Sequence, residues 1–596
     1  MTVQQTFSTP YTSDQLQWVR ETFFVSEPLA RLLLARGLTT HDQIYQFLNP
    51  ESVPDGDPFA LSGMDKAVAV IRDVIANNEK ICVYGDYDAD GICATAILGR
   101  CLRALGANAH WFIPNRRGEG YGVSPDRVKT LFERGVTCLI TVDNGITAIA
   151  EIAYAKSLGM RVVVTDHHRA GETLPPADAI VCASLDGYAQ RQTDLCGAGV
   201  AWFFARALGC ESERDWCLPL VALATVADMV RLAGENRKLV REGMTLIGNN
   251  VGLLALQRAA GVAEGACDEG ALGFILGPRL NVAGRMGDAS RALRLLLCED
   301  RLEADRLARE LEAENRRRKA EETRIAEDAE RMLAEAGELP PSLRGEGSAA
   351  ARGELPPSLR GDVGEANRGE LPPVIVLYGR DWNTGVMGIV ASRLVDRYYR
   401  PVLLFADRNG EVTGSGRSIP EVDLHDLLTA CADHLVRFGG HAGAAGMTVL
   451  EENLPALRQR AGEWLLARGG GVLPVKTRRY DLALRPEDCT LTLCRELTRL
   501  APFGRGNEEP IFLLPNAPLS GVSAMGAEGK HLRANLGEGG GKLRLVAFGE
   551  GEKQRLWQGW ERADALVRLR VNAYGGTQSV NAYHVFLEKS KALENS

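Results

Sequence analysis

Between residues 64 and 182 the sequence alternates between two kinds of segment, and this alternation constrains the fold more than any other feature. Short apolar runs at 81–84, 109–113, 137–142, 161–165 and 179–182 are separated, for the most part, by stretches of helical periodicity such as 64–77 and 91–105. Strands that are apolar along their whole length, rather than at every second residue, are covered on both faces. Helices between consecutive strands carry the chain back across the sheet, so the strands run parallel. The expected fold class is therefore α/β, a doubly wound parallel sheet.

The rest of the chain divides around that core. Residues 1–60 read as a helical N-terminal preface, with an amphipathic stretch at 27–36 and a capping-box pattern, Thr40 to Gln43, ahead of Ile44, Phe47 and Leu48. Residues 61–300 hold the sheet and, beyond 184, a helical extension. Residues 301–336 interleave Glu and Arg with sparse apolar positions (Leu302, Leu307, Leu311, Ile325), the pattern of a long connecting helix between two domains. Residues 337–372 contain a repeat: GELPPSLRG at 337–345 and at 353–361, then GELPP at 369–373. A nine-residue unit rich in Pro and Gly cannot bury a core, so a flexible insertion is expected. Strand and helix alternate again in a smaller, glycine-rich α/β region, 373–468. Residues 474–590 end in short β-like runs (543–548, 565–571, 579–587) between Gly-rich turns, as in a small β-barrel.

Composition removes several classes of function. Hydrophobic residues make up 45% and charged residues 24%, which fits globular domains and excludes collagen-like or wholly disordered chains. Thirteen cysteines with no CxxC pair fit neither a disulfide framework nor a zinc site; Cys489 and Cys494 are expected to be packing. No run approaches the ~18 apolar residues that cross a bilayer, and the N-terminus lacks a secretory or import pattern, so no membrane association and a cytoplasmic location are expected. The formal net charge of −8 supplies no whole-chain basic signature, so phosphate binding must come from local clusters or metals.

Chemistry-bearing residues fall at the carboxyl ends of three of the expected strands. They are Gly85-Asp86-Tyr87-Asp88-Ala89-Asp90-Gly91, Asp143-Asn144-Gly145 and Asp166-His167-His168. In an open α/β sheet those ends are where ligands bind, and folding brings the loops together. Asp86, Asp88, Asp90 and Asp143 in one cleft would repel one another unless cations neutralised them. An imidazole from His167 among oxygen ligands makes Mn²⁺ at least as suitable as Mg²⁺. Asp228, in an apolar setting after Ala224-Thr225-Val226-Ala227, needs a partner as well. The pattern DxDxDG also begins an EF-hand loop, but that loop needs Glu at its twelfth position, where this chain has Ile97. Taken singly, an Asp-Asn-Gly is usually a turn and a His-His pair an accident of packing. Three such features at three strand ends point to a site.

GDYDADG, VDNG, DHH and the apolar TVAD segment, in this order, resemble the four motifs of the DHH phosphoesterase superfamily. Within it the chain is similar to the bacterial single-strand-specific 5′ to 3′ DNA exonucleases. The likeness extends through PNRRGEGYG (114–122), LCGAGVAW (195–202), GPRLNVAGRM (277–286), GVMGIVASRL (385–394), GSGRS (414–418), FGGHAGAAG (438–446) and PFGRGN (502–507). The resemblance implies a DHH catalytic domain, a DHHA1 domain over 373–468 and a C-terminal OB-like barrel that binds single strands. It implies two Mn²⁺ or Mg²⁺ ions held by Asp86, Asp88, Asp90, Asp143, His167 and Asp228. Asp143 would bridge them and His168 would face the scissile phosphate, so that Asp88, Asp90, Asp143 and His168 form the catalytic set. Two departures from the family pattern are Cys182-Ala183, in place of an Asn-Pro pair, and Asn383, in place of a His after Trp382.

Phosphate and DNA contacts are expected outside the metal cluster. Glycine lets backbone N–H groups close on a phosphate and an arginine fork matches its oxygens, which singles out Ser415, Arg417, Gly440 and His441. Arg116, Arg279 and Arg285 add candidate positive charge. Lys530, His531, Arg533, Lys542 and Arg544 could line a barrel groove, where aromatics would stack bases. The expected reaction is two-metal hydrolysis from a free 5′ end of single-stranded DNA, releasing 5′ mononucleotides in DNA repair and recombination. The family likeness further implies a monomer working beside a single-strand-binding protein and a helicase. Two rivals share parts of this architecture. A small-substrate DHH phosphodiesterase would not need the barrel, and a non-catalytic replication scaffold would not need Asp88, Asp90, Asp143 and His167 intact.

Overall fold

In the computed structural model, five parallel strands form the first sheet in the order Asn108–Phe112, Lys80–Tyr84, Cys138–Val142, Arg161–Asp166 and Ala179–Cys182. The structure describes residues 3–6, 9–114, 122–185, 194–336, 371–408, 410–526, 528–574 and 576–590. Numbered by chain order the strands run 2-1-3-4-5, and the direction of winding switches between the first and third. Side chains alternate across the sheet into two cores. Ile81, Val83, Ile140, Val142 and Val163 pack with helices Met64–Ala76, Ala89–Ala104 and Gly197–Leu208, while Cys82, Tyr84, Leu139, Val162 and Val164 pack with Val128, Leu131, Ile152 and Ala155. Burial on both faces explains the unbroken apolar runs in the sequence.

The chain divides into two compact units. The one that holds the parallel sheet comprises Leu38–Asn315 and, returning much later, Leu497–Glu509. Its helix His41–Leu48 begins with the expected capping box, in which Thr40 accepts from the Gln43 N–H and Gln43 from the Thr40 N–H. The long helix Arg301–Glu335 buries Ala304, Leu307, Ala308 and Leu311 early and Ile325, Ala326, Ala329 and Leu333 late. Its exposed face is laced with ion pairs such as Arg306–Glu303 and Arg324–Glu321.

The second unit comprises Met1–Gly37, Arg316–Glu496 and Pro510–Ser596. A five-stranded mixed sheet runs in the order Leu435–His441, Ala444–Val449, Glu411–Arg417, Val402–Arg408, Ile375–Tyr378. Farther on, Phe512–Met525, His531–Leu536, Leu543–Ala547, Thr577–Lys589 and Arg562–Tyr574 pair in succession. The last strand pairs back to the first, so five strands close into a barrel. The first two barrel strands were not among the expected β runs. The N-terminal preface contributes a strand of its own, Val3–Gln5, paired in parallel with Arg478–Tyr480.

The glycine-rich segments of the second unit lie in its mixed sheet. Gly414-Ser415-Gly416-Arg417 and Gly439-Gly440-His441 lie in two strands that flank and pair with Ala444–Val449, the second being an edge strand. Glycine is required there by packing: a Cβ at Gly414 would lie 2.6 Å from the Phe405 ring, and one at Gly416 2.9 Å from Leu403. The thirteen cysteines are free thiols, Cys489 and Cys494 being buried. Among the described residues no helix is long and apolar enough to cross a membrane. The 337–345 and 353–361 repeats lie outside the described residues.

Candidate active site

The switch in winding direction places the ends of strands Lys80–Tyr84 and Cys138–Val142 side by side, with Tyr84 opposite Thr141. Loops leaving such a point diverge and open a crevice. Asn144 ties the two ends together, its Nδ2 donating to the Val142 carbonyl at 2.9 Å and the Tyr84 carbonyl at 3.3 Å. Asp143 itself adopts a left-handed backbone, φ 61°, a conformation that Asp tolerates better than most residues. Helix Gly277–Met286 closes on the acidic loop. Asn281 Oδ1 accepts from the Ala89 N–H at 2.6 Å, and a Cβ at Gly284 would meet the Tyr87 carbonyl at 2.5 Å.

Asp88, Asp90 and Asp166 are oriented by backbone donors. Asp88 caps helix Ala89–Ala104, accepting from the N–H groups of Asp90 and Gly91, both at 3.0 Å. Asp90 receives the N–H groups of Gly197 and Ala198, both at 2.7 Å, from the first turn of helix Gly197–Leu208. Asp166 accepts from Ile146, His167 and His168 N–H groups and binds His168 Nδ1 at 2.7 Å. Asp228 follows helix Arg214–Ala227.

These residues converge into three overlapping groups whose donor atoms lie within 4.8 Å of one another: Asp86, Asp88 and Asp143; Asp90, His167 and Asp228; and Asp143, His167 and His168. His167 Nε2 stands 3.1 Å from Asp143 Oδ1, 3.6 Å from Asp90 and 3.7 Å from Asp228. Yet neither His167 Nε2 nor Asp143 Oδ1 is in a hydrogen bond, although both are buried. Lone pairs that face a common point without bonding to each other are what a cation requires.

The electrostatics agree. Burial, and then the charges of Asp90, Asp88, Asp166 and Asp86, hold the Asp143 carboxyl well above the usual carboxylate range. Burial likewise pushes Asp90 up, partly opposed by His167. Asp228 rises to about 8 through burial and the charges of Asp90 and Asp88, against His168 and Arg505. Burial opposes charge on His168, but its bond to Asp166 outweighs this and holds the imidazole up to about 9. Asp166 is lowered for the same reason despite its own burial. A cluster that would otherwise retain protons is one that divalent cations stabilise.

All seven acidic and imidazole residues singled out from the sequence, Asp86, Asp88, Asp90, Asp143, His167, His168 and Asp228, are in this cluster. The basic candidates fare differently. Arg116 lies outside the described residues. Arg279 is interior, 6% exposed, with its guanidinium bonded to Glu312 at 2.6 Å and the Ile275 carbonyl at 2.7 Å, so it is not surface charge. Arg285 is half-buried in the last turn of its helix. Ser415, Arg417, Gly440 and His441 belong to the other unit, where Arg417 and His441 sit in one row on either side of Ala444. Arg417 donates to the Gly416 carbonyl at 2.7 Å and to Ser415 Oγ at 3.3 Å. The sequence sets Asp166 with His167 and His168 at a strand end but without a role of its own; the structure makes it the partner of His168. Its signal was its place directly before His167 at a buried strand end.

Comparison with known proteins accords with this geometry. The DHH family N-terminal domain matches residues 80–225, the DHHA1 domain 371–467 and the RecJ OB domain 480–584. The single-stranded-DNA-specific exonuclease RecJ of Escherichia coli is 34% identical, over 93% of this chain and 94% of its own length. The chain belongs to the RecJ exonuclease family. The RecJ of Bacillus subtilis is 35% identical over 94% of this chain and 68% of its own length. The crystal structure of RecJ from Thermus thermophilus in complex with Mn²⁺ matches the whole chain and 80% of its own, with a TM-score of 0.80 at 31% identity. The same RecJ in complex with Mg²⁺ gives 0.74. The RecJ neighbours thus hold the two metals that the donor set here suits.

Proposed function

We propose that the chain is a metal-dependent exonuclease that degrades single-stranded DNA from a free 5′ end and releases 5′ mononucleotides. The observation that carries this reading is that Asp143 belongs both to the Asp86–Asp88 group and to a His167 group, so one carboxylate serves two adjacent cation positions. Asp86, Asp88, Asp90, Asp143, His167 and Asp228 would hold two cations, Asp143 being the carboxylate common to two of the donor groups. Two Mn²⁺ or Mg²⁺ ions, when bound, lower the pKa of a water molecule and offset charge on the phosphoryl oxygens.

The remaining work belongs to the protein. The N–H donors at the start of helix Gly197–Leu208 hold Asp90 in place without further side chains. His168 donates its Nδ1–H to Asp166 in a hydrogen bond, keeping the proton, and in its charged form presents a second N–H, at Nε2, to a phosphate oxygen. Asp88, Asp90, Asp143 and His168 are accordingly the catalytic set. Arg417, with Ser415, Gly440 and His441, binds phosphate along the strand, and Arg285 and Arg116 add positive charge. The barrel residues Lys530, His531, Arg533, Lys542 and Arg544 steer single strands. The enzyme works as a monomer in the cytoplasm, beside a helicase that opens its substrate and a protein that coats single strands.

Digestion of 5′-labelled and 3′-labelled single strands with Mn²⁺ tests this reading. Immediate release of a 5′-labelled mononucleotide with slow shortening of the 3′-labelled strand is expected. The reverse order, or degradation of dinucleotides alone, would overturn it.

A further inference from the structure

The metal cluster ends on one side at Asp228, and the next residue is built in an unexpected way. Met229 closes helix Arg214–Ala227 with a left-handed backbone, φ 57°, its N–H donating to the Val226 carbonyl at 3.3 Å. That is the position at which helices usually carry glycine, because a Cβ is unfavourable there. No burial of the side chain offsets that cost, since Met229 is 66% exposed. The chain thus accepts backbone strain in order to present a thioether to solvent directly beside a residue of the cluster.

The loop that carries Met229 is also held firmly. The PFGRGN segment, 502–507, lies within the stretch Leu497–Glu509 that returns to the catalytic unit. Arg505 Nη1 donates to the Met229 carbonyl at 3.4 Å, and the Arg505 carbonyl accepts from the Leu232 N–H at 2.8 Å. Gly504 allows this closeness, since a Cβ there would lie 2.7 Å from Leu232. The segment is itself braced. Phe503 N–H donates to Glu269 at 2.9 Å, buried Asn507 donates to the Leu500 and Pro502 carbonyls, and Arg237 donates to the carbonyls of Arg499, Leu500 and Ala501. An exposed apolar side chain on a backbone fixed from both sides is pre-organised for a ligand.

We infer that Met229, held by the PFGRGN clasp, is a substrate-contact residue that packs against the nucleobase adjoining the scissile phosphate. A methionine suits this role because its polarisable sulfur and flexible stem pack on aromatic faces of differing shape, which serves an enzyme indifferent to base identity. The inference rests on the nuclease reading above.

The test uses the full chain and two 5′-phosphorylated single strands of equal length, one unmodified and one with abasic tetrahydrofuran residues at its first two positions. Binding is measured by fluorescence anisotropy in chelator, and hydrolysis as kcat/KM with Mn²⁺. Wild type should prefer the base-bearing strand in both. Met229→Gly, which suits the left-handed backbone, should lose about five- to tenfold of that preference, and Met229→Leu should keep it. Equal preference in wild type and Met229→Gly, or none in wild type, overturns the inference. Binding preference without any hydrolysis by wild type would instead overturn the nuclease reading and leave the base contact standing.

Discussion

Gly197 stands where any side chain would collide with Asp143: a Cβ at residue 197 would lie 2.6 Å from the Asp143 Cβ and 2.7 Å from its Oδ1. The same glycine donates its N–H to Asp90 at 2.7 Å, so one residue positions two carboxylates of the cluster. Gly197→Ala should therefore reduce hydrolysis by about a hundredfold, the scale of a misplacement near 1 Å, while the protein remains folded. Steady-state rates together with circular dichroism check this; a rate within about threefold of wild type would refute it.

Asp143→Asn should separate stability from function. Because neighbouring carboxylates and burial disfavour charge on Asp143, removing that charge should leave the melting temperature in chelator unchanged or higher. The same variant should lose hydrolysis and most of the melting-temperature gain that Mn²⁺ gives wild type. Thermal melts with and without Mn²⁺ provide the comparison. A variant less stable in chelator would show that attractions outweigh repulsion at Asp143.

Asp166→Asn should cost about ten- to a hundredfold in activity or metal affinity, as loss of a residue that orients ligands does. Its carboxylate receives three N–H groups and His168 Nδ1, and an amide cannot accept all of them. Calorimetric titration with Mn²⁺ and kcat measurement would detect the change. Wild-type values in both would remove Asp166 from the site.

In the barrel, burial and the charges of Lys553 and Arg478 depress the His584 pKa to about 3, although Glu550 stands 3.9 Å from Nδ1. The unfolded chain binds this proton near pH 6.5 and the folded one does not, so stability rises with pH across that interval. It is fully retained above pH 6.5 and should fall by up to ~1.4 kcal/mol per pH unit as the pH drops from there toward 3. Urea melts of wild type and His584→Gln at several pH values test this. The variant should show a shallower acid dependence, and parallel curves would be the contrary result.

Deleting residues 340–368 should leave exonuclease activity within about twofold of wild type, since shortening a connection changes chain entropy only slowly with length. The segment is rich in Pro and Gly without apolar periodicity. Loss of activity, or a fall of ~10 °C in melting temperature, would show that it is structural.

The first sheet and its site were legible because burial on both faces leaves an unbroken apolar run, and because acidic and imidazole residues follow those runs directly. Other parts were hidden for identifiable reasons. The strand Phe512–Met525 contains Pro515, Pro518 and Gly521, residues that argue against a strand; its register shifts at Leu514/Ala517 and Ser520/Ser523 accommodate them. Gly414 and Gly416 read as letting backbone N–H groups close on a phosphate, whereas in the fold Phe405 and Leu403 exclude side chains there. Arg279 looked like surface charge because its partner Glu312 is thirty-three residues away, a pairing that only the folded chain brings about. Asp166 stood in the strand-end motif, but its part emerges only from the N–H groups and the imidazole aimed at it.

The return of Leu497–Glu509 to a unit otherwise finished at Asn315 also bears on how the protein is made. During synthesis the sheet and the acidic cluster leave the ribosome early, yet the segment that braces Met229 and contributes Arg505 emerges only after the long helix and the second sheet. A chain released before that point has an unfinished catalytic unit. Completion of this unit is thus tied to near-completion of translation, and a truncated product lacks the hydrogen bonds that Arg505 makes to Met229 and Leu232.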